Sequence, residues 1–174
     1  MASLTPGKNA PEHDMVMTPP ALARLIVEHF NPRGLCLDPC RGEGAFYDAL
    51  LPLHSARTRE WCEITQGRDF FQCNGGPTGT GYDWIITNPP WSKFRAFMLE
   101  ALCWSNNVVF LATLTHFVTR RRLEDLYVLN VGLKEALLLA TPKAPWPQSG
   151  FQLAAVHMER GYTGAMKFTR SWEK

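Results

Sequence analysis

The chain has 174 residues and a formal net charge of +2, with 45% hydrophobic and 20% charged residues, values ordinary for a water-soluble globular domain. That length suits one domain with its own core, and the charge alone is too small to imply nucleic acid. No apolar run reaches the roughly 18 residues of a membrane span, and no charged-then-apolar leader opens the chain, so a cytoplasmic setting without membrane contact is expected. The five cysteines (Cys36, Cys40, Cys62, Cys73, Cys103) are odd in number and lack CxxC spacing, which points to neither a disulfide framework nor a metal site.

Residues 1–14 carry Pro, Gly, Lys and Asn without periodicity and read as a flexible lead-in. Thr18-Pro19-Pro20 opens a helix, with Thr18 as N-cap and proline tolerated in the first turn. Leu22, Leu25, Ile26 and Phe30 then recur at helical spacing, opposite Arg24 and Glu28. Leu35-Cys36-Leu37 is a short buried strand ending at Asp38, followed by a turn at Gly42 and Gly44 and a second helix bearing Phe46, Leu50 and Leu51. Glu60 to Ile64 reads as a strand, and Asp69-Phe70-Phe71 as a short strand or its exit loop.

Cys73 to Tyr82, rich in Gly and Thr, is expected to be an exposed loop. Trp84 to Thr87 is a clear strand running into Asn88-Pro89-Pro90-Trp91, and a helix over 93–104 places Phe94, Phe97, Met98, Ala101 and Leu102 on one face. A strand at Val108–Leu111, a helix at Thr119–Leu129 and strands at 132–140 and 152–158 complete the pattern. Alternating strands and helices predict an α/β fold with a doubly wound, mostly parallel sheet. The last two strands have no helix between them and are expected to form an antiparallel hairpin at one edge.

Ligands of such sheets bind beyond the C-terminal ends of the strands. There Asp38-Pro39-Cys40-Arg41-Gly42-Glu43-Gly44-Ala45-Phe46 offers a carboxylate and a tight turn whose glycines let backbone approach a ligand. Asp38 suits the amino group of a methionine moiety. Glu63, at the next strand end, suits ribose hydroxyls, and Asp69 beside Phe70 suits an adenine amine and ring. The turn reads GxG, not GxGxxG, and no P-loop Lys-Ser/Thr follows, which favours a cofactor with a free amino-acid end over a phosphate-bearing one.

Asn88-Pro89-Pro90-Trp91 carries the chemistry. An exocyclic amine conjugated to a ring is a poor nucleophile, and to attack a sulfonium methyl it must rehybridise toward sp³. The Asn88 side-chain oxygen and the Pro89 carbonyl can hold its two N–H bonds, Pro89 and Pro90 stiffen the backbone, and Trp91 offers a face for a planar base. A cytosine-C5 mechanism needs a thiol at this tetrapeptide, and Cys40 is not there.

With these elements in order, Thr18-Pro19, Asp38 to Phe46 and Asn88 to Trp91, the chain resembles the gamma-ordered DNA adenine-N6 methyltransferases, the small stand-alone phage and prophage type above all. The resemblance spans about residues 15–160. It implies a Rossmann-like class I methyltransferase fold, with 15–174 as a single methyltransferase domain, and S-adenosyl-L-methionine as cofactor. The cofactor would be bound by Thr18, Pro19, Asp38, Pro39, Arg41, Gly42, Gly44, Phe46, Glu63, Asp69 and Phe70.

The implied partner is DNA, with RNA as the other nucleic-acid target. Cations for its phosphates are Lys93, Arg95, Arg120, Arg121 and Arg122, and His116 is a candidate hydrogen-bonding group. The family likeness also implies an aromatic that sandwiches an extruded base, for which Trp146 and Phe151 are the candidates. Two departures stand out. Only five residues separate Glu63 from Asp69, so the helix usually found there is missing. No segment is long enough for a separate target-recognition domain, which implies short or relaxed sequence specificity. Similar tetrapeptides serve methylation of RNA base amines and of a protein glutamine amide, and an inactive methyltransferase-like binding subunit is a further alternative.

Overall fold

The computed structural model describes residues 16–53, 58–76 and 79–171. The lead-in expected over 1–14 lies outside them. Seven strands form one sheet: β1 (Cys36–Asp38), β2 (Arg59–Trp61), β3 (Trp84–Thr87), β4 (Asn107–Thr113), β5 (Val131–Leu139), β6 (Leu153–Arg160) and β7 (Lys167–Ser171). Their order across the sheet is β2-β1-β3-β4-β6-β5-β7. The first four pair parallel with one another, and β6 runs antiparallel between β4 and β5.

Period-two alternation sends successive side chains to opposite faces, and both faces are covered. Ile85, Val108 and Phe110 pack with Phe94, Phe97, Met98, Ala101 and Leu102 of helix α3 (Phe94–Trp104), while Leu126 of α4 (Arg120–Val128) joins the same core. Ile86, Val109 and Leu111 pack on the other face with Ala23, Ile26 and Val27 of α1 (Pro20–Phe30) and Phe46 of α2 (Ala45–Ala49). This is the doubly wound arrangement that the alternating pattern predicts. Among the described residues, no helix is long and apolar enough to cross a membrane.

Several local expectations are corrected. Helix α1 begins at Pro20 with Pro19 at its N-cap, and no side chain caps it, so Thr18 does not play that role. Two successive prolines already supply helical φ and lack N–H groups, which leaves little for a cap to satisfy. Helix α2 is only five residues long, and Leu51 beyond it is exposed.

The strand expected over 60–64 stops at Trp61, because Glu63 turns its carboxylate onto the Thr65 N–H and starts a 3-10 turn. Asp69 does the same for Phe71, so 70–72 is a 3-10 turn and not a strand. Local side-chain acceptors of this kind compete with the sheet ladder. The Gly-rich segment before β3 is not wholly exposed: Tyr82 is buried, and a Cβ on Gly75 would lie 2.5 Å from the Trp104 ring. The antiparallel pair is present as β5 and β6 but does not form the edge of the sheet, because β7, which the sequence reading missed, adds parallel to β5 outside it. Its polar residues give little hydrophobic signal.

Phe110 sits fully buried in the middle of the sheet, its ring edge-on to Phe94 with centroids 5.7 Å apart. Phe110→Ala is expected to lower the unfolding free energy by about 3–5 kcal/mol in urea titration.

Candidate active site

Because β1 to β4 are parallel, their C-terminal ends share one edge of the sheet, and the singled-out residues follow directly from them. Asp38 ends β1, Glu63 lies two residues past β2, and Asn88 comes directly after β3. Thr113 ends β4, three residues before His116.

Asp38 is fully buried. Its Oδ1 accepts from the Thr87 hydroxyl at 2.7 Å and from the Cys40 N–H at 3.3 Å; the Tyr47 backbone N–H also acts on the carboxylate, but Oδ2 is buried without a partner in hydrogen-bonding geometry. Burial pushes the carboxyl up to about 7, against the pull of the Thr87 hydrogen bond. An acceptor oxygen left unsatisfied in such a place fits a cationic ammonium group, which would supply both the missing donor and the missing charge.

The turn that follows is braced from the next strand end. The Glu63 carboxylate accepts from the Gly42 N–H at 2.8 Å with one oxygen, and from the Thr65 N–H at 3.0 Å and hydroxyl at 2.7 Å with the other. Burial alone would raise the Glu63 carboxyl, but these bonds and the Arg41 charge hold it below its ordinary range. Gly42 has a φ of 51°, a left-handed conformation that favours glycine, while a Cβ there would meet only the movable end of the Met17 side chain. Pro39, Gly44 and Phe46 are buried behind this turn. Arg41 lies over the Trp61 ring at 4.8 Å and donates to Gln66.

Asp69 and Phe70 are differently placed. The two Asp69 oxygens accept from the Phe71 N–H and from the Gln72 side chain, and Phe70 is buried with its ring stacked on Phe97 at 5.6 Å. The neighbouring Phe71 is the exposed aromatic. Thr18 lines a cleft between α1 and α2 together with Arg24, Glu43 and Asp48.

At the tetrapeptide, the Asn88 side chain is fixed at both ends. Its Nδ2 donates to the Val16 carbonyl at 3.2 Å, and its Oδ1 accepts from Trp91 Nε1 at 3.3 Å. The same indole N–H also reaches the Leu111 carbonyl at 3.4 Å. Pro89 is buried, and Pro90 starts the 3-10 turn 91–93 that leads into α3. Val16 and Met17 are contributors that sequence reasoning missed. They precede the first periodic element, and nothing in their residue types marks the contacts that they make.

His116 hydrogen-bonds the Thr113 hydroxyl through Nδ1 at 2.7 Å and is tilted against Trp91 and Phe94, and burial lowers its pKa. Trp146 is buried edge-on to Trp91 at 6.3 Å, its Nε1 without a partner, whereas Phe151 is 58% exposed. Lys93, Arg120 and Arg121 are exposed, Arg120 pairing with Glu124 one turn along α4. Arg122 lies over the Phe94 ring. Arg95 makes a two-pronged ion pair with Asp125 at 2.8 and 2.7 Å, tying α3 to α4.

No family model matches the chain, and no curated protein does. Solved structures do. A proposed RNA methyltransferase from Pyrococcus horikoshii aligns with a TM-score of 0.58 at 17% identity, over 81% of this chain and 82% of that one. A proposed class I S-adenosylmethionine-dependent methyltransferase from Listeria monocytogenes aligns at 0.61 and 10% identity, over 94% and 68%. The M protein of the type I restriction enzyme EcoKI aligns at 0.56 and 15% identity, over 84% of this chain and 44% of that one, so the chain spans less than half of that protein's length. The fold is therefore that of the class I S-adenosylmethionine-dependent methyltransferases.

The raised Asp38 pKa has a thermodynamic consequence. Its contribution to stability is fully present below the unfolded-state value of 3.8 and is lost as pH rises through about 7. Asp38→Asn removes that dependence. In urea titrations of the ligand-free protein from about pH 4 to 8, the variant is expected to gain on the parent as pH rises. A pH-independent gap between the two would contradict the assignment.

Proposed function

We propose that this chain transfers the methyl group of S-adenosyl-L-methionine to the exocyclic N6 amine of adenine in DNA, with short or relaxed sequence specificity. The observation that carries this reading is the 2.7 Å bond from Thr87 to Asp38. It sets the acid suited to a methionine ammonium directly against the strand that ends in Asn88-Pro89-Pro90-Trp91. When bound, the cofactor supplies an electrophilic methyl on a sulfonium centre. Asp38 holds its amino group through the unsatisfied oxygen, Glu63 takes the ribose hydroxyls, and the 63–72 loop takes the adenine side.

On the acceptor side, a carboxamide oxygen has two lone-pair sites. The Trp91 indole uses one on Asn88 Oδ1 and leaves the other for a target N–H. The Pro89 carbonyl takes the second N–H, which favours the pyramidal nitrogen that attacks. The Val16 carbonyl, by engaging Nδ2, keeps the Asn88 oxygen from rotating away. Catalysis is then orientation and electrostatic stabilisation of the charge that develops on nitrogen, with no covalent nucleophile.

The exposed Phe151 suits the face of an extruded base opposite Trp91, and the buried Trp146 suits support of Trp91. Exposed Lys93, Arg120 and Arg121 suit phosphates. A DNA acceptor is in keeping with the likeness to the EcoKI M protein, and an RNA acceptor with the likeness to the Pyrococcus protein.

Transfer of labelled methyl to duplex DNA, single-stranded DNA, RNA and protein tests this reading. Label is expected on adenine in DNA, and label confined to protein would defeat it. Asn88→Ala is expected to lower turnover by roughly 100-fold or more while the cofactor Kd stays within a few-fold. Asp38→Ala has the opposite signature, with a cofactor Kd higher by roughly tenfold or more in calorimetry. Phe151→Ala is expected to lower kcat/KM for the nucleic acid roughly tenfold or more, with cofactor affinity unchanged.

A further inference from the structure

The loop 63–72 is closed at its base by two thiols. Cys62 follows β2, and its backbone is locked into the frame: its N–H donates to the Asp38 carbonyl at 2.9 Å, and its carbonyl accepts from the Arg41 N–H at 3.0 Å. Cys73 lies at the other end of the loop, where its N–H donates to the Phe70 carbonyl at 3.1 Å. The two sulfurs are 2.8 Å apart. A disulfide bond is about 2.05 Å long, so the gap between the two sulfurs that a bridge must close is less than about 1 Å. Between them, residues 64–68 are all exposed, and the loop is held across its width by the pairing of Glu63 with Arg68.

We propose that Cys62 and Cys73 are a reversible dithiol–disulfide site, oxidised by a low-molecular-weight disulfide, whose closure pins the loop 63–72 against the sheet edge. Half-buried Cys73 is the thiol that the oxidant meets, while Cys62 is almost fully buried. The Cys73 thiolate attacks one sulfur of oxidised glutathione, forming a mixed disulfide and releasing one glutathione thiolate. The Cys62 thiol then loses its proton to solvent and attacks the Cys73 sulfur, expelling the second glutathione thiolate. Two protein thiols are oxidised and one glutathione disulfide is reduced to two thiols. Burial pushes the Cys62 thiol up and Arg68 opposes it, so the second step quickens as pH rises.

The bridge forms with the loop already in place, so it narrows the loop's excursions without displacing Glu63. On the reading given above, in which this loop takes the adenosyl side of the cofactor, oxidation preorganises that side and tightens binding.

Oxidised glutathione added to the full chain, followed by thiol blocking and peptide mapping, tests the proposal. Expected is a Cys62–Cys73 cross-linked peptide that is absent in Cys73→Ser and retained in Cys103→Ser, with slowed amide exchange across 63–72. Glutathione retained on Cys73, a bridge to Cys40 or Cys103, or a cross-link that leaves exchange unchanged would each overturn it. Calorimetry with S-adenosyl-L-methionine in both redox states is expected to give about threefold tighter binding to the oxidised form. Binding to neither form would refute the cofactor reading of the loop, while the site itself would still be judged on the peptide map.

Discussion

The arrangement at the strand ends depends on one buried carboxylate. Asp38 is enclosed at the tip of β1, and only one of its oxygens is satisfied within the chain. A buried acceptor without a donor is costly, and a buried charge more so. Such a residue is tolerated where the fold over-determines its surroundings, and here the neighbouring strand does so. Thr87 reaches across from β3 to bond Asp38, and Thr87 is also the residue that delivers the chain into the Asn-Pro-Pro turn. Where the acid sits and where the turn begins are thus the same constraint seen from two strands.

Around that pair, the site is stiffened by bonds that cross between elements far apart in the chain. Glu63 holds the Gly-rich turn, Val16 holds Asn88, and the Trp91 indole spans Asn88 and the Leu111 carbonyl of β4. Each is a modest contribution alone. Together they fix the rotamers of the groups that would have to be aligned to within fractions of an ångström for methyl transfer. The Trp91 ring, the last residue of the tetrapeptide, packs against His116 and Trp146.

Much of this was legible in the residues because the strongest signals coincide with the strands. Trp84 to Thr87 is an apolar run with unambiguous ends, and the helical face of Phe94, Phe97, Met98, Ala101 and Leu102 matches residue for residue. What escaped is of three physical kinds. Val16 acts through a backbone carbonyl, which no side-chain pattern reports. Asp69 and Arg95 carry intrachain bonds, to Phe71 and Gln72 and to Asp125, that their residue types do not foretell. Strand β7 is stabilised by its pairing with β5, and its composition resembles that of a loop.

The two borders of the sheet have a consequence for how the molecule meets others of its kind. One border is β2, three residues long, whose Arg59 lies over the Tyr47 ring and whose Trp61 is covered by Arg68. The other is β7, five residues with Lys167 and Arg170 exposed along it. A strand that short, or one studded with like charge, is a poor template for an incoming chain. The longer strands, β4, β5 and β6, are all interior. Among the described residues, growth of the sheet by edge-to-edge addition is therefore blunted at both borders.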